Sequence, residues 1–275
     1  WIERRGRSGR SHDGRGSAWR PLAAPRLTGA RAALAVAFCL FLLTAGLLLP
    51  AGWLLWGSLD ITPEWPRLLR AARHSLTLAV AGALLTVALA TFLALGTRGE
   101  RSLAGRFASL GYATPGAVMA VGLLAPASIL WQLFGGTGNF AIGIGLLLYA
   151  YAARLMAAAV EPIEAGLTRV TPTMVWASRS LGAGEMRTAF KVQLPVARGA
   201  LLTGGLIVFI DILKELPATL ILRPFNFDTL AVIANNYALD ERLPQAGWPS
   251  LLIVAMALPG VLWLSREIAA SRPGA

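Results

Sequence analysis

Histidine, cysteine and acidic side chains are scarce in this chain. Two histidines and one cysteine stand among its 275 residues, and fourteen carboxylates face twenty-five Lys and Arg. A single cysteine, Cys39 inside an apolar run, permits no internal disulfide and reads as a small buried apolar residue. His12 and His74 are isolated from each other and from the cysteine, so no metal-ligand spacing exists, and each reads as a solvated or interfacial side chain. Nothing resembles a nucleophile beside a base, and no Gly-rich phosphate loop ending in Gly-Lys-Ser/Thr occurs, so no catalytic constellation is evident and ATP is expected to be bound elsewhere. Aromatic–basic interleaving and finger spacing are missing too, so nucleic acid is not an expected partner. What is abundant is apolar: 56% of residues are hydrophobic and only 14% charged, with a mean hydropathy of +0.61. That balance points to a polytopic membrane protein, and the net charge of +11 reads as topology and contact with anionic lipid.

Along the chain, residues 1–31 are rich in Arg, Gly, Ser and Pro and cannot bury enough apolar surface to order themselves. They are expected to form a flexible, positively charged leader. They are not a signal peptide, because the Arg-rich part is too long and no small-residue cleavage site closes the following apolar run. The start at Trp rather than Met suggests that something lies upstream. Residues 32–268 read as a six-span membrane domain and 269–275 as a tail. The expected spans are Ala32–Leu59, Ser75–Thr97, Leu110–Phe134, Phe140–Val160, Leu201–Leu222 and Trp248–Ser265. Between the first two, Asp60–His74 reads as a short polar connection carrying Pro63 and Pro66, and GGTGN at 135–139 as a tight turn. The third span is interrupted by Pro115-Gly116 and Pro126, either as kinks at a moving interface or as tolerated packing features. Arg223–Trp248 reads as a longer loop with short helical character.

The expected fifth span carries Asp211, Lys214 and Glu215, then Pro217. Charges at membrane depth are expensive and face a cavity or each other. On a helix Asp211 and Lys214 can pair three residues apart. Alternatively the helix ends near Leu213 and the charges lie in the interface; in both cases the segment borders an aqueous path. Placing the leader, the Arg98–Arg106 turn, the 169–198 region and the tail on one side gives that side about eighteen Lys and Arg against about five opposite, which makes it the cytosolic side.

Between the fourth and fifth spans lies a polar island, Thr171 to Arg198, TPTMVWASRSLGAGEMRTAFKVQLPVAR. It reads as a short helix Met174–Leu181, a turn at Gly182, a second short helix Glu185–Gln193 and a stop at Pro195. The runs ASRSLGA and FKVQLP resemble the EAA loop of binding-protein-dependent ABC importer permeases, with Gly182, Val192, Leu194 and Pro195 at the family's Gly, aliphatic and Leu-Pro positions. Trp176 stands where the family carries an acidic residue, so no salt bridge is expected from that position. The stretch KELPATLILRPFNFDTLA, Lys214–Ala231, resembles the ferric-iron branch of these permeases.

The resemblance implies an all-α, six-span type I importer permease with a cytosolic helix-turn-helix coupling loop, in a bacterial plasma (inner) membrane. It implies the second, C-terminal half of a two-half permease, the Arg-rich leader then being the linker between halves. It implies ATP-binding subunits holding ATP and Mg, a periplasmic or lipoprotein binding protein, and a second six-span half as partners. No cofactor or metal is expected on this chain, and ferric iron is expected to be handed over chelated by the binding protein. Ala177, Leu181, Gly182, Ala183, Phe190, Leu194 and Pro195 are the expected ATPase-coupling residues; Asp211, Lys214, Glu215 and Pro217 are expected along the translocation path. Thiamine, phosphonate or another small solute is an alternative cargo. Other classes are an ion-coupled secondary transporter titrating Asp211 and Glu215, a membrane-embedded enzyme, or a scaffold; the last leaves the Gly and Leu-Pro spacing unexplained.

Overall fold

The computed structural model describes residues 27–96, 111–134 and 140–270. Every regular element among them is helical. Six helices are long and apolar enough to cross a membrane: α1 (Gly29–Ser58), α2 (Trp65–Gly96), α3 (Gly116–Phe134), α4 (Phe140–Leu167), α6 (Glu185–Leu213) and α9 (Leu243–Ala270). Between them lie the shorter α5 (Pro172–Ser180), α7 (Pro217–Leu222) and α8 (Leu230–Leu239). Residues 1–26 of the leader, with His12, the 98–106 turn, the 135–139 turn and residues 271–275 fall outside the described residues, while residues 29–31, expected in the flexible leader, already belong to α1.

The core is a three-helix contact of α4 with α2 and α6. Leu147, Tyr151, Leu155 and Ile163 of α4 are buried against Leu78, Ala79 and Ala90 of α2 and Val208, Ile212 and Leu213 of α6. Small residues bring the backbones close, as in membrane helices generally. A methyl group on Gly166 would lie 2.3 Å from Ala200 Cβ, and one on Gly204 would lie 3.2 Å from the Ala159 carbonyl. The outer faces keep Leu84, Phe92, Leu34, Phe38 and Phe41 exposed, which suits a hydrocarbon surround and no other solvent. This is a multi-pass membrane protein.

Several boundaries differ from expectation for identifiable reasons. Helix α2 starts at Trp65, ten residues before the expected Ser75, so Asp60–His74 is not a polar connection throughout; Pro66 sits in the first turn, where its missing N–H costs nothing. The expected interruption of the third span at Pro115-Gly116 is present: residues 111–113 are helical, the chain breaks at Thr114 and Pro115, and α3 begins at Gly116. Pro126, by contrast, lies within the helix as expected. Helix α4 runs past Val160 through Pro162 to Leu167. The expected fifth span breaks after Leu213 and resumes as α7 at Pro217. Helix α9 starts at Leu243, so Pro249 lies inside it.

The stop expected at Pro195 is overturned. The second arm of the helix-turn-helix continues through a π-helical turn, Ala189–Gln193, straight into the fifth span. Leu194 N–H reaches back to the Ala189 carbonyl, one residue further than an α-helix allows. This widening makes room for a ring that cannot donate and would strike the carbonyl four residues earlier. The same device occurs in α1, where Thr44–Leu48 is π-helical immediately before Leu49-Pro50.

Helix α1 has Ser58 as its one buried residue and packs on α9 through its last turns. The Ser58 hydroxyl lies 2.7 Å from both the Leu54 and the Pro244 carbonyl. A methyl group on Gly247 would meet Ser58 Oγ at 1.9 Å and the Leu54 carbonyl at 2.7 Å. Gly247→Ala should therefore loosen α1, at a cost of about 1–3 kcal/mol, whereas Gly57→Ala, where the added carbon meets nothing within 4 Å, should not destabilise. Thermal unfolding of the two variants in detergent checks this; equal melting temperatures would refute the close α1–α9 crossing.

Candidate functional site

Two features stand out. At one end of the bundle is the helix-turn-helix formed by α5 and the first turns of α6. Thr171 and Pro172 start α5, with Pro where no donor is needed. At its end Gly182 adopts φ +79°, Gly182 N–H bonds to the Arg179 carbonyl at 2.9 Å, and Ala183 N–H bonds to the Ser178 carbonyl at 3.1 Å. This is a Schellman closure, which a residue without Cβ enters at no cost. Ser178 and Thr188 hydroxyls meet at 3.0 Å and Arg179 pairs with Glu185 at 3.0 Å, tying the two arms together. Val175 and Val192 pack against the bundle core, so the elbow is seated on the spans.

Of the residues expected on the coupling surface, Ala177, Leu181, Gly182, Phe190 and Pro195 are exposed, while Ala183 and Leu194 are half-buried. Leu181 is 87% exposed, and Trp176, Met186 and Phe190 also stand out of the fold. Met186 and Trp176 were absent from the expected set. Exposed bulky apolar residues beyond the spans form a surface that suits a protein partner better than water.

The second feature is a buried polar cluster halfway along α4, about 21 Å from its start at 1.5 Å per residue. Arg154 forms an ion pair with Glu215 in the break between α6 and α7. Glu215 is only 7% exposed and Arg154 29%. The Glu215 carboxylate also accepts from Ala218 N–H at 3.1 Å, which caps the start of α7. Thr219 Oγ1 donates to the Glu215 carbonyl at 2.9 Å. Its single proton is thereby used, so the buried Tyr151 hydroxyl, 2.6 Å away, donates to Thr219. Tyr151 and Arg154 are three apart on one face of α4 and grip the same segment. On the other side α3 closes in: a Cβ on Gly116 would lie 2.8 Å from Glu215 Oε1 and 3.3 Å from Arg154 Nη1.

The expected Asp211–Lys214 pair is present at 2.9 Å, with Lys214 66% exposed. Helix α6 ends at Leu213 and Pro217 opens α7, so the pairing and the helix end coexist. Glu215 does not join that pair; its partner is Arg154, from another span. Sequence reasoning missed Arg154, Tyr151, Thr219 and Gly116. A lone Arg in an apolar run was a usable signal, since such a charge demands a partner at depth.

At the far end of the bundle Arg223 pairs with Asp228, and His74 Nδ1 lies 3.0 Å from the Asp228 carbonyl. The His74 ring stacks on Phe227 at 4.0 Å, and Phe140 meets Phe227 edge-on at 5.6 Å. His74 is thus a packed, half-buried side chain that ties the loop before α8 to α2.

No protein-family model matches the chain. The Fe(3+)-transport system permease protein FbpB 2 of Haemophilus influenzae is 26% identical over 263 residues, covering 91% of this chain and 50% of the relative. The chain thus spans about half the length of the curated relative it matches. A chain in the crystal structure of a bacterial ABC transporter involved in the import of the acidic polysaccharide alginate superposes with a TM-score of 0.65 at 14% identity, covering 88% of this chain and 96% of that one. The chain resembles ABC importer permeases. It has their all-helical six-span fold, with the helix-turn-helix between the fourth and fifth spans.

Removing Arg154 leaves a carboxylate buried without its countercharge, a loss of about 3–5 kcal/mol; Tyr151→Phe removes one neutral hydrogen bond, about 1 kcal/mol. Thermal unfolding in detergent should therefore place Arg154→Gln clearly below Tyr151→Phe. The reverse order would show that the ion pair is solvated rather than buried.

Proposed function

We propose that this chain is a transmembrane permease subunit of an ATP-driven ABC importer, carrying ferric iron delivered by a periplasmic or lipoprotein binding protein. The carrying observation is mechanical. The elbow at Gly182 leads without a break, through the π-helical turn, into α6 and so to the charged break at Lys214–Leu216. A push on the exposed Leu181 and Phe190 surface therefore reaches the middle of the bundle along one helix.

The chain binds no ATP in this reading. ATP and Mg sit on separate ATP-binding subunits that dock on the elbow, and the excess of Lys and Arg on that side supports a cytosolic elbow in a bacterial inner membrane. A second six-span half, upstream in the same polypeptide or on another chain, completes the pore; the half-length match to the iron permease supports this. Ferric iron rests on that relative and on the resemblance of Lys214–Ala231. Asp211, Lys214, Glu215 and Pro217 border the path. Holding Fe(III) tightly would oppose release, and among the described residues no group of three His, Cys, Asp or Glu could hold a metal ion.

Gly182→Val places a β-branched residue at a positive φ and distorts the elbow while its surroundings stay open. In proteoliposomes holding the full transporter, it should abolish uptake of radiolabelled Fe(III) while spans and assembly persist; unchanged uptake would refute the coupling role. Lys214→Ala should lower uptake with the ATPase still bound, and full uptake would remove Lys214 from the path.

A further inference from the structure

We propose that Arg154 is a positioning residue of the transport cycle: together with Tyr151 it forms a releasable clasp that holds the fifth span broken after Leu213. This inference rests on the permease reading above. It separates the charged residues of the break into two groups with different work.

Glu215 is fully engaged. One carboxylate oxygen takes the Arg154 guanidinium and the other the Ala218 N–H. At 7% exposure it offers little surface to a cargo, unlike the Asp211–Lys214 pair, whose ammonium is largely exposed. The grip is double. Tyr151 holds the backbone carbonyl of Glu215 through Thr219, and Arg154 holds its side chain. Both attachments come from one face of α4 and land within residues 215–219. Helix α3 forms the third wall, since Gly116 leaves no space for a Cβ.

The clasp is placed to act as a switch. Among the described residues it is the ion pair that joins α4 to the segment following α6. Elsewhere α4 and α6 meet through apolar packing, with Gly166 on Ala200 and Gly204 on Ala159 bringing the backbones close. Displacement of α6 from the elbow end therefore strains the two polar attachments at 215–219, the Arg154–Glu215 pair and the Tyr151–Thr219 hydrogen bond. Were the helix to run on through Lys214, Asp211 and Glu215 would fall one turn apart on the same face. Arg154 then keeps a carboxylate neighbour as the segment moves, which avoids leaving a charge unpaired at depth.

The test uses the full transporter, with its ATPase and binding protein, in proteoliposomes. Arg154→Gln and Glu215→Gln each remove one side of the clasp, and Gly116→Ala displaces it while keeping both charges. Each should raise ATP hydrolysis in the absence of binding protein by about fivefold and lower Fe(III) taken up per ATP by about tenfold, within the range of coupling between sites. The double variant Arg154→Gln with Glu215→Gln, whose amide oxygen at 215 can still accept from Ala218 N–H, should change both values no more than either single variant does, a non-additivity that independent roles would not give. Where a single variant fails to fold, Gly116→Ala and Arg154→Lys carry the comparison. Unaltered hydrolysis and uptake per ATP in folded clasp variants overturn the clasp alone, as does a folded double variant in which the two single losses multiply. A wild-type transporter that shows no ATP-dependent uptake and is indifferent to Gly182→Val overturns the permease reading and the clasp together.

Discussion

Inside a hydrocarbon layer every charge and every freed backbone group needs a partner supplied by the protein. The pairing of Arg154 with Glu215 meets that requirement at the point where this fold is least regular. The break after Leu213 frees carbonyls at the end of α6 and N–H groups at the start of α7. Glu215 answers with its carboxylate on Ala218 N–H, and Thr219 answers on the Glu215 carbonyl. Such a carboxylate is tolerated in the interior because a guanidinium from α4 lies against it. The start of α3 at Gly116 lies directly against that pair, and Lys214 stays exposed beside it.

The rest of the bundle is packed closely around that site. Contacts of α4 with α2 and α6 are alanine- and glycine-rich, so the helices lie close and the crossings are set by shape. The two π-helical turns solve a common problem. Each precedes a Leu-Pro step, and each lets a long helix continue where proline would otherwise end it. At Pro195 the consequence is functional in the permease reading, because it makes the elbow and the fifth span a single lever. Leu181, Phe190, Trp176 and Met186 remain uncovered on that elbow, and their exposure calls for a partner surface.

Much of this was legible in the residues. Six apolar runs separated by Arg, Gly and Pro announce six spans, because length and hydropathy are properties of local sequence. The Gly182 turn was legible for the same reason: a Schellman closure is made within six residues and asks for a residue without Cβ. The Asp211–Lys214 pair was also within reach, since it lies on one helical face. Helix ends were read less well. The starts of α2 at Trp65 and α9 at Leu243 lie in polar, proline-bearing sequence that resembles loop, and they are helical because Trp65, Trp248, Arg67 and Tyr237 pack there across elements.

By itself, then, the sequence determined the helical class, the number of spans, the bias of positive charge and the glycine elbow, all governed by interactions between residues near one another in the chain. Tertiary structure alone decided that Pro195 continues a helix rather than ending it. It also decided that Glu215 belongs to Arg154 rather than to its neighbours Lys214 and Asp211. Those outcomes depend on residues sixty-one positions apart meeting in space, and on the backbone widening ahead of a proline that would otherwise end the helix. In a medium that cannot solvate a charge, the partner is chosen by which helices lie side by side.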